Sequence, residues 1–176
     1  MMLKPLYTIV VISMIAQACV APDCDNQDCG SCANACCKLT FTFPPSMTST
    51  DVATVLNNTI MGGGPDGRYF ETTLAEGVHN VADLHPLGVP VYIAKTIHTT
   101  AKRVYNDSID MTITDSAGGA TLRAFSISQV GGAYCDAGQN FKNIVTLIKP
   151  VYEKLGLNFS YAHVDDSCPP PSNFIQ

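Results

Sequence analysis

The chain has 176 residues, of which 10 are lysine or arginine and 15 are aspartate or glutamate, so its formal net charge is −5. This length suits one domain, and a composition that is 46% hydrophobic and only 14% charged excludes a disordered, self-repelling polymer. The acidic balance, with few arginines scattered along the chain, argues against a nucleic-acid-binding protein.

Residues 1–18 have the pattern of an export signal. Lys4 supplies a positive charge, residues 6–16 are almost purely apolar, and residues 16–18 (Ala-Gln-Ala) provide the small side chains of a cleavage site. The apolar run is too short for a bilayer, which needs about 20 residues. We therefore expect a secreted, extracellular protein without a stable membrane span, whose mature chain begins at Cys19.

Three Asn-x-Ser/Thr sequons agree with export, because this motif accepts N-linked glycans in secreted proteins. They begin at Asn57, Asn106 and Asn158. The motif is short and also arises by chance, so its value here comes from the signal peptide that precedes it. We expect a glycan at one or more of these asparagines.

Cysteine usage is the most informative feature of the composition. Residues 19–37 hold six of the eight cysteines, and the other two stand alone further along the chain. The spacing Cys29-x-x-Cys32 followed by Cys36-Cys37 could hold zinc, but an oxidising compartment favours disulfides. At least one long-range bridge should tie this segment to the domain, although the pairing cannot be read from sequence. The expected disulfide cysteines are Cys19, Cys24, Cys29, Cys32, Cys36, Cys37, Cys135 and Cys168.

The domain, predicted over residues 38–164, opens with a strand and a helix. Residues 38–43 alternate apolar and polar side chains, as in a half-buried strand. Ser49 or Thr50 can cap the helix that follows, whose apolar residues recur at helical spacing. Residues 62–67 match the letters of a dinucleotide-binding glycine loop, but they follow a helix and lead into a strand. They therefore predict a turn rather than a cofactor site.

Four more strands, a second helix and a last strand complete the predicted domain. The four strands are expected at residues 68–74, 91–98, 109–113 and 121–130, the first two joined by an irregular stretch. The fourth should be central, because its apolar residues occupy both faces. The second helix covers residues 141–155, and we expect Pro150 to kink it or divide it in two. Residues 159–164 predict the last strand, and residues 165–176 an extended, proline-rich tail.

The connections between successive strands decide the fold class. They are short, which favours antiparallel pairing over a parallel, doubly wound sheet. We therefore predict an α+β fold, with a mainly antiparallel sheet of about five or six strands, two helices packed on it and a disulfide-stapled N-terminal segment.

A recognisable signature lies between residues 126 and 144. Its residues are Ser126, Ser128, Gly131, Tyr134, Asp136, Gly138, Asn140 and Lys142. This pattern resembles the family catalogued as domain of unknown function 1499, which carries Arg-Ser-x-Ser-Arg-x-Gly, then Tyr, then Asp-x-Gly-x-Asn before a basic helix start. Residues 105–110 are similar to the aromatic and acidic residues with which that family begins a strand. The resemblance covers residues 37–156 and implies the fold, whereas the family's biochemical activity is undefined.

The chain departs from this pattern at the family's basic positions. Phe125 and Gln129 stand where the family has the two arginines around Ser-x-Ser, and Asn143 stands at a third basic position. Residues 132–133 are an insertion, and Cys135 replaces a small polar residue. If the family binds an anion through those arginines, the resemblance implies that this chain has lost that site.

The candidate catalytic residues come from the signature and its surroundings. Asp136 and Asn140, ahead of the second helix, predict either a polar site at the helix N-terminus or, as is more common, capping of its free N–H groups. A serine nucleophile with His98 as its base is a further hypothesis, although the chain has no Gly-x-Ser-x-Gly elbow. The full set of candidates is Ser126, Ser128, Tyr134, Asp136, Asn140 and His98.

No cofactor or metal is predicted. The four histidines lack the spacing of a zinc site. Asp165 and Asp166 could suggest a calcium site only if the fold brought Asp107 and Asp110 close to them, and a solvated acidic tail explains them more simply.

Two functional hypotheses follow from these observations. The first is a secreted, disulfide-stabilised glycoprotein that acts by binding, to a small apolar ligand or to components of the extracellular matrix. The second is a small, cofactor-independent enzyme, oxygenase-like or esterase-like, that acts on an apolar small molecule. The candidate residues discriminate between them. Convergence of Ser126, Ser128, Tyr134, Asp136 and a histidine on one cavity would favour the enzyme, and a capping or solvent-facing role would favour binding.

Overall fold

The computed structural model describes residues 35–71, 81–130, 133, 136–164 and 168. Several sequence predictions lie outside these residues. They are the signal peptide at residues 1–18, the cysteines Cys19, Cys24, Cys29, Cys32 and Cys135, the candidate Tyr134, and the tail except for Cys168.

Seven strands and two helices make up the described part of the chain. They are β1 (Cys36–Thr42), α1 (Ser49–Met61), β2 (Tyr69–Glu71), β3 (Val81–Asp83), β4 (Val91–Thr99), β5 (Asn106–Ser116), β6 (Gly119–Ser128), α2 (Gln139–Lys154) and β7 (Ala162–His163). The strands form one antiparallel sheet in the order β2-β4-β5-β6-β1-β7. Strand β3 also pairs with β4, at residues 92–94, whereas β2 pairs with residues 96–98 of the same strand. The predicted α+β class is confirmed, as is the central position of β6. The sheet has one strand more than the upper expectation, because β3 lies in the stretch predicted to be irregular.

The hydrophobic core lies between one face of the sheet and the two helices. Leu39 and Phe41 of β1 are fully buried, as their alternation predicts, and they pack with Leu122 of β6 and Ile148 of α2. Both helices contact the sheet and each other, so they cover the same face. That arrangement leaves the opposite face of the sheet without a covering helix in the described chain.

Helix α1 begins one or two residues earlier than the sequence suggests. Its N-cap is Thr48, not Ser49 or Thr50, because Thr48 has an extended backbone and forms a capping box with Asp51. The Ser49 amide and hydroxyl instead donate to the carboxylate of Asp115, at 2.7 and 2.9 Å. Ser49 therefore fixes the helix to the end of β5 rather than capping it.

Helix α2 continues through Pro150, so it is not divided in two. A proline inside a helix removes one backbone hydrogen bond and costs about 3 kcal/mol. Leu147 and Ile148 before the proline and Val151 and Tyr152 after it are all buried. Packing of this apolar face on both sides of Pro150 holds the two halves in one helix.

A disulfide joins the start of the sheet to the C-terminal region. It links Cys37 of β1 to Cys168, across a sequence separation of 131 residues. This is the long-range bridge that the cysteine distribution predicts. The neighbouring Cys36 is also disulfide-bonded and lies on the other face of β1, where it packs with Phe125.

Candidate functional site

A row of polar side chains crosses one end of the helix-covered face of the sheet. The strand register pairs Tyr69 with His98, His98 with Asp107, and Asp107 with Ser128. Paired residues of antiparallel strands point to the same face. Four neighbouring strands thus place a phenol, an imidazole, a carboxyl and a hydroxyl side by side, where the core would otherwise continue.

Asp107 is the unusual member of this row. It shares its face of β5 with Ile109, Met111 and Ile113, and only 5% of its surface is exposed. The sequence predictions include Asp107 in the calcium hypothesis and in the acidic strand start that resembles the family, but not among the candidate catalytic residues. The sequence signal for it is an aspartate in phase with the apolar side chains of a strand, which is rare without a compensating partner or a function.

Helix α2 contacts the polar row through Asn143, which bonds with Tyr69 and Asp107, and Asp136 caps the start of this helix. The Asp136 carboxylate accepts hydrogen bonds from the backbone N–H groups of Gly138, at 2.9 Å, and Asn140, at 2.6 Å. Gly138 has a φ of 76°, which glycine adopts without strain, and has no side chain of its own to cap the helix. The capping interpretation of Asp136 is therefore confirmed.

Asn140 does not cap the helix. It is 1% exposed, its amide donates to the Ala35 carbonyl at 2.8 Å and to Asp136, and its side-chain oxygen accepts from the Ser126 hydroxyl. These bonds tie β6, α2 and the chain ahead of β1 together. Ser126 is fully buried and engaged in this network, so its hydroxyl is not presented to solvent.

A second network holds the Asp107 carboxyl. The Asn143 amide donates to it at 2.7 Å, and the Ser128 hydroxyl donates to it as well. Burial raises the pKa of Asp107, and the nearby charge of Asp136 raises it further. The hydrogen bonds from Asn143 and Ser128 and the nearby His98 act in the opposite direction but do not cancel the effect of burial.

Tyr69 and Gln139 fix the position of Asn143. The Tyr69 hydroxyl donates to the Asn143 carbonyl at 2.7 Å, and the Gln139 amide donates to its side-chain oxygen at 2.7 Å. Burial raises the pKa of Tyr69, so its hydroxyl keeps its proton and remains a donor. The donor to Asp107 is therefore itself held by groups on β2 and α2.

A cleft of about 530 Å³ opens beside this network. Its floor is polar, with Asp107, Ser128, Asp136 and Gln139, and Tyr105 stands at its edge with 56% of its surface exposed. The remaining lining residues are Ala35, Thr100, Val130 and Ala133. The volume lies within the range of small-molecule sites, about 300–1,000 Å³.

The predicted serine–histidine pair is not assembled within the described chain. The Nε2 atom of His98 lies 3.1 Å from an Asp66 oxygen, and its ring packs against Tyr69 at a tilt of 51°, with ring centroids 4.6 Å apart. The partner of the Ser128 hydroxyl is the Asp107 carboxyl. A serine nucleophile needs its base within hydrogen-bond reach, in the order Ser–His–Asp, and here a carboxyl separates serine from histidine.

The structure thus brings together only part of the predicted site. Ser128 and Asp136 line the cleft, Ser126 and Asn140 lie beneath it in structural hydrogen bonds, and His98 belongs to the row but contacts Asp66. Asp107, Gln139, Tyr105 and Thr100 line the cleft and were not predicted as site residues. The polar row depends on strand register, which sequence periodicity does not determine across four strands.

Searches for a membrane span and for a metal site, and the positions of the sequons, concern the described residues only. Neither helix there is long and apolar enough to cross a membrane. A search of the same residues finds no group of three or more histidine, cysteine or acidic side chains that could hold a metal ion. Asn106 and Asn158 are exposed, whereas Asn57 is half-buried on α1 with its side-chain oxygen enclosed.

Comparison with known proteins yields no relative. No family model matches the chain, and searches of curated proteins and of solved structures find no match either. The fold and the geometry of the cleft are therefore the basis for assigning a function.

Proposed function

We propose that the protein is a secreted, extracellular, disulfide-stabilised glycoprotein that binds a small ligand in the cleft beside Asp107. The observation that carries the binding role is a buried carboxyl, held by Asn143 and Ser128, that opens into a cleft of about 530 Å³. Burying a charged group costs free energy unless the charge is paired and hydrogen-bonded, so a buried carboxyl at the wall of a cleft suits a ligand that pairs with it. Polar groups that converge on a concave site are the usual form of a ligand site.

Secretion is supported by three sequence features and one structural feature. The export pattern of residues 1–18, the three sequons and the cysteine-rich segment all suit an oxidising, extracellular environment. The Cys37–Cys168 bridge is the kind of long-range staple that such proteins use. A small ligand is favoured over components of the extracellular matrix as the binding partner, because the polar groups converge on a cleft.

Binding is favoured over catalysis because of the order of the groups in the row. Ser128 meets a carboxyl instead of an imidazole, so no activated serine results. The alternative, a cofactor-independent enzyme, is supported by one feature: a buried carboxyl with a raised pKa in a cleft is a common form of general acid or base. Esterase activity through Asp107 would be its simplest case.

The test uses the full secreted protein and two matched variants. Asp107→Asn removes the charge in the cleft, whereas Asp110→Asn removes a half-exposed charge on the opposite face of the same strand, where it pairs with Lys95 at 3.4 Å. A thermal-shift screen of small molecules of mixed charge should find ligands that stabilise the native protein and Asp110→Asn but not Asp107→Asn. If every ligand found stabilises all three proteins equally, a site at Asp107 is refuted. Turnover of an ester that is lost in Asp107→Asn would favour the enzyme.

Mass spectrometry of the native secreted protein tests the rest of the proposal. It should show a chain that begins at Cys19, glycans removed by an N-glycosidase, and paired cysteines. An intact N-terminus on an unmodified chain with free thiols would contradict secretion.

A further inference from the structure

We propose that the cleft selects an organic monocation, a protonated amine that carries a short apolar group. This inference rests on the cleft being a ligand site, as proposed above, and it specifies the chemistry of the ligand. Three features carry it: the sign of the charge in the cleft, the acceptor capacity of its floor, and the apolar groups at its edge.

The described lining of the cleft contains two carboxyl groups, Asp107 and Asp136, and neither lysine nor arginine. The arginines closest in sequence to the polar row are engaged elsewhere. Arg68 forms an ion pair with Asp66 at 2.9 Å, and the Arg103 guanidinium lies 5.4 Å from the centre of the Phe70 ring. Within the described lining, therefore, no lysine or arginine balances the negative charge of the cleft.

The floor is also rich in acceptors. A carboxylate offers about four lone-pair positions, and the Asp107 carboxyl receives hydrogen bonds from Asn143 and Ser128 only among the described contacts. It can accept further donors, and an ammonium group has three of them to offer. Such charge-assisted hydrogen bonds are about twice as strong as neutral ones.

Burial gives the charge its selectivity. Asp107 is 5% exposed and lies near a second carboxyl, so its ionised form is poorly solvated and repelled. A bound cation relieves both penalties, a neutral ligand relieves neither, and an anion adds to them. Discrimination by charge should therefore exceed what an exposed aspartate on the same strand could provide.

The edge of the cleft favours a cation with an apolar part. Tyr105 is 56% exposed and Val130 is 44% exposed, and both line the cleft. Val104, which is 63% exposed, precedes Tyr105 in the chain. A tyrosine ring attracts cations and packs against apolar groups. A volume of about 530 Å³ is also far larger than a bare metal ion requires.

The experiment compares three molecules of nearly equal shape by calorimetric titration of the full secreted protein at pH 7. The probes are phenethylammonium, 2-phenylethanol and phenylacetate, which are cationic, neutral and anionic. The expected result is that the cation binds at least tenfold more tightly than the alcohol, about 1.4 kcal/mol, and that the anion shows no binding. Equal affinity for cation and alcohol, or tighter binding of the anion, would overturn the inference while leaving the proposed ligand site intact.

Variants separate the inference from the proposed function. Asp107→Asn should weaken the cation at least tenfold and leave the alcohol nearly unchanged, and Asp110→Asn should bind both as the native protein does. Tyr105→Ala, at an exposed position that does not endanger folding, should weaken the cation and the alcohol alike. If none of the three probes binds, the inference fails. The proposed function fails with it only if the mixed-charge screen also finds no ligand that depends on Asp107.

Discussion

Opening the Cys37–Cys168 bridge should strongly destabilise the protein. This bridge ties β1, the strand between β6 and β7, to the C-terminal region. It closes a loop of 131 residues. In the chain-entropy model, a cross-link of this length lowers the entropy of the unfolded chain enough to contribute about 5 kcal/mol at 25 °C, close to the upper end of measured values.

The variants Cys168→Ala and Cys37→Ala/Cys168→Ala test this contribution by urea unfolding under oxidising conditions. Both should lose about 3–5 kcal/mol of unfolding free energy, or about 6–20 °C in Tm for a chain of this size. The single variant serves as the control. If the cross-link provides the stability, the single variant loses nearly as much unfolding free energy as the double variant. If the packing of the two sulfurs provides it, the double variant loses about twice as much as the single variant.

A loss below about 1 kcal/mol in both variants would refute the staple. Equal, additive losses at the two positions would show instead that buried sulfur packing stabilises this region. Both cysteines are buried, at 0% and 4% exposure, so both explanations predict a loss of stability. They differ in how the loss in the double variant compares with the loss in the single variant.

Three further predictions concern the strand turn, the buried carboxyl and the glycans. Gly119→Ala should cost about 3 kcal/mol or more, because φ is +117° and a Cβ would meet backbone carbonyls; Gly118→Ala has open space and should change urea stability by less than about 0.5 kcal/mol. The raised pKa of Asp107 means that folding favours its protonated form, so its contribution to stability is full below the unfolded pKa and is lost as pH rises through the folded pKa. In urea titrations, the unfolding free energy of the native protein should therefore fall relative to that of Asp107→Asn as the pH is raised from acidic to neutral. A relative rise in the unfolding free energy of the native protein would contradict this. Asn158→Gln should remove one glycan mass in mass spectrometry, and Asn57→Gln, at a half-buried position, should remove none; the reverse pattern would show that folded-state exposure does not govern occupancy.

The sequence predicts the fold well where local patterns and packing agree. Alternation in β1 and helical spacing in α1 each identify an element and its buried face, since side-chain periodicity is a local property. Strand β3 has only three residues, too few for an alternation of apolar and polar side chains to identify it in the sequence. Pro150 does not divide α2 as the sequence allowed, because tertiary burial of the helix on both sides of the proline outweighs its local cost.

The candidate site was predicted only in part, and the reason is geometric. The signature residues Ser128 and Asp136 lie 8 positions apart in sequence and both reach the cleft. Asp107 comes from a different strand, and only the β5–β6 register brings it to Ser128. His98 has the right register but the wrong partner, because the turn that follows α1 presents Asp66 to its ring.

The most direct test of the central claim is an NMR titration of the secreted protein with fragments of mixed charge. Cationic fragments that bind should shift the backbone amides of Ser128, Asp136 and Gln139, and at the same fragment concentration these shifts should be strongly reduced in Asp107→Asn but persist in Asp110→Asn. Cation-induced shifts confined to the opposite face of the sheet, around Asp110, would contradict a ligand site beside the buried carboxyl, and so would cation-induced shifts that are unchanged in Asp107→Asn.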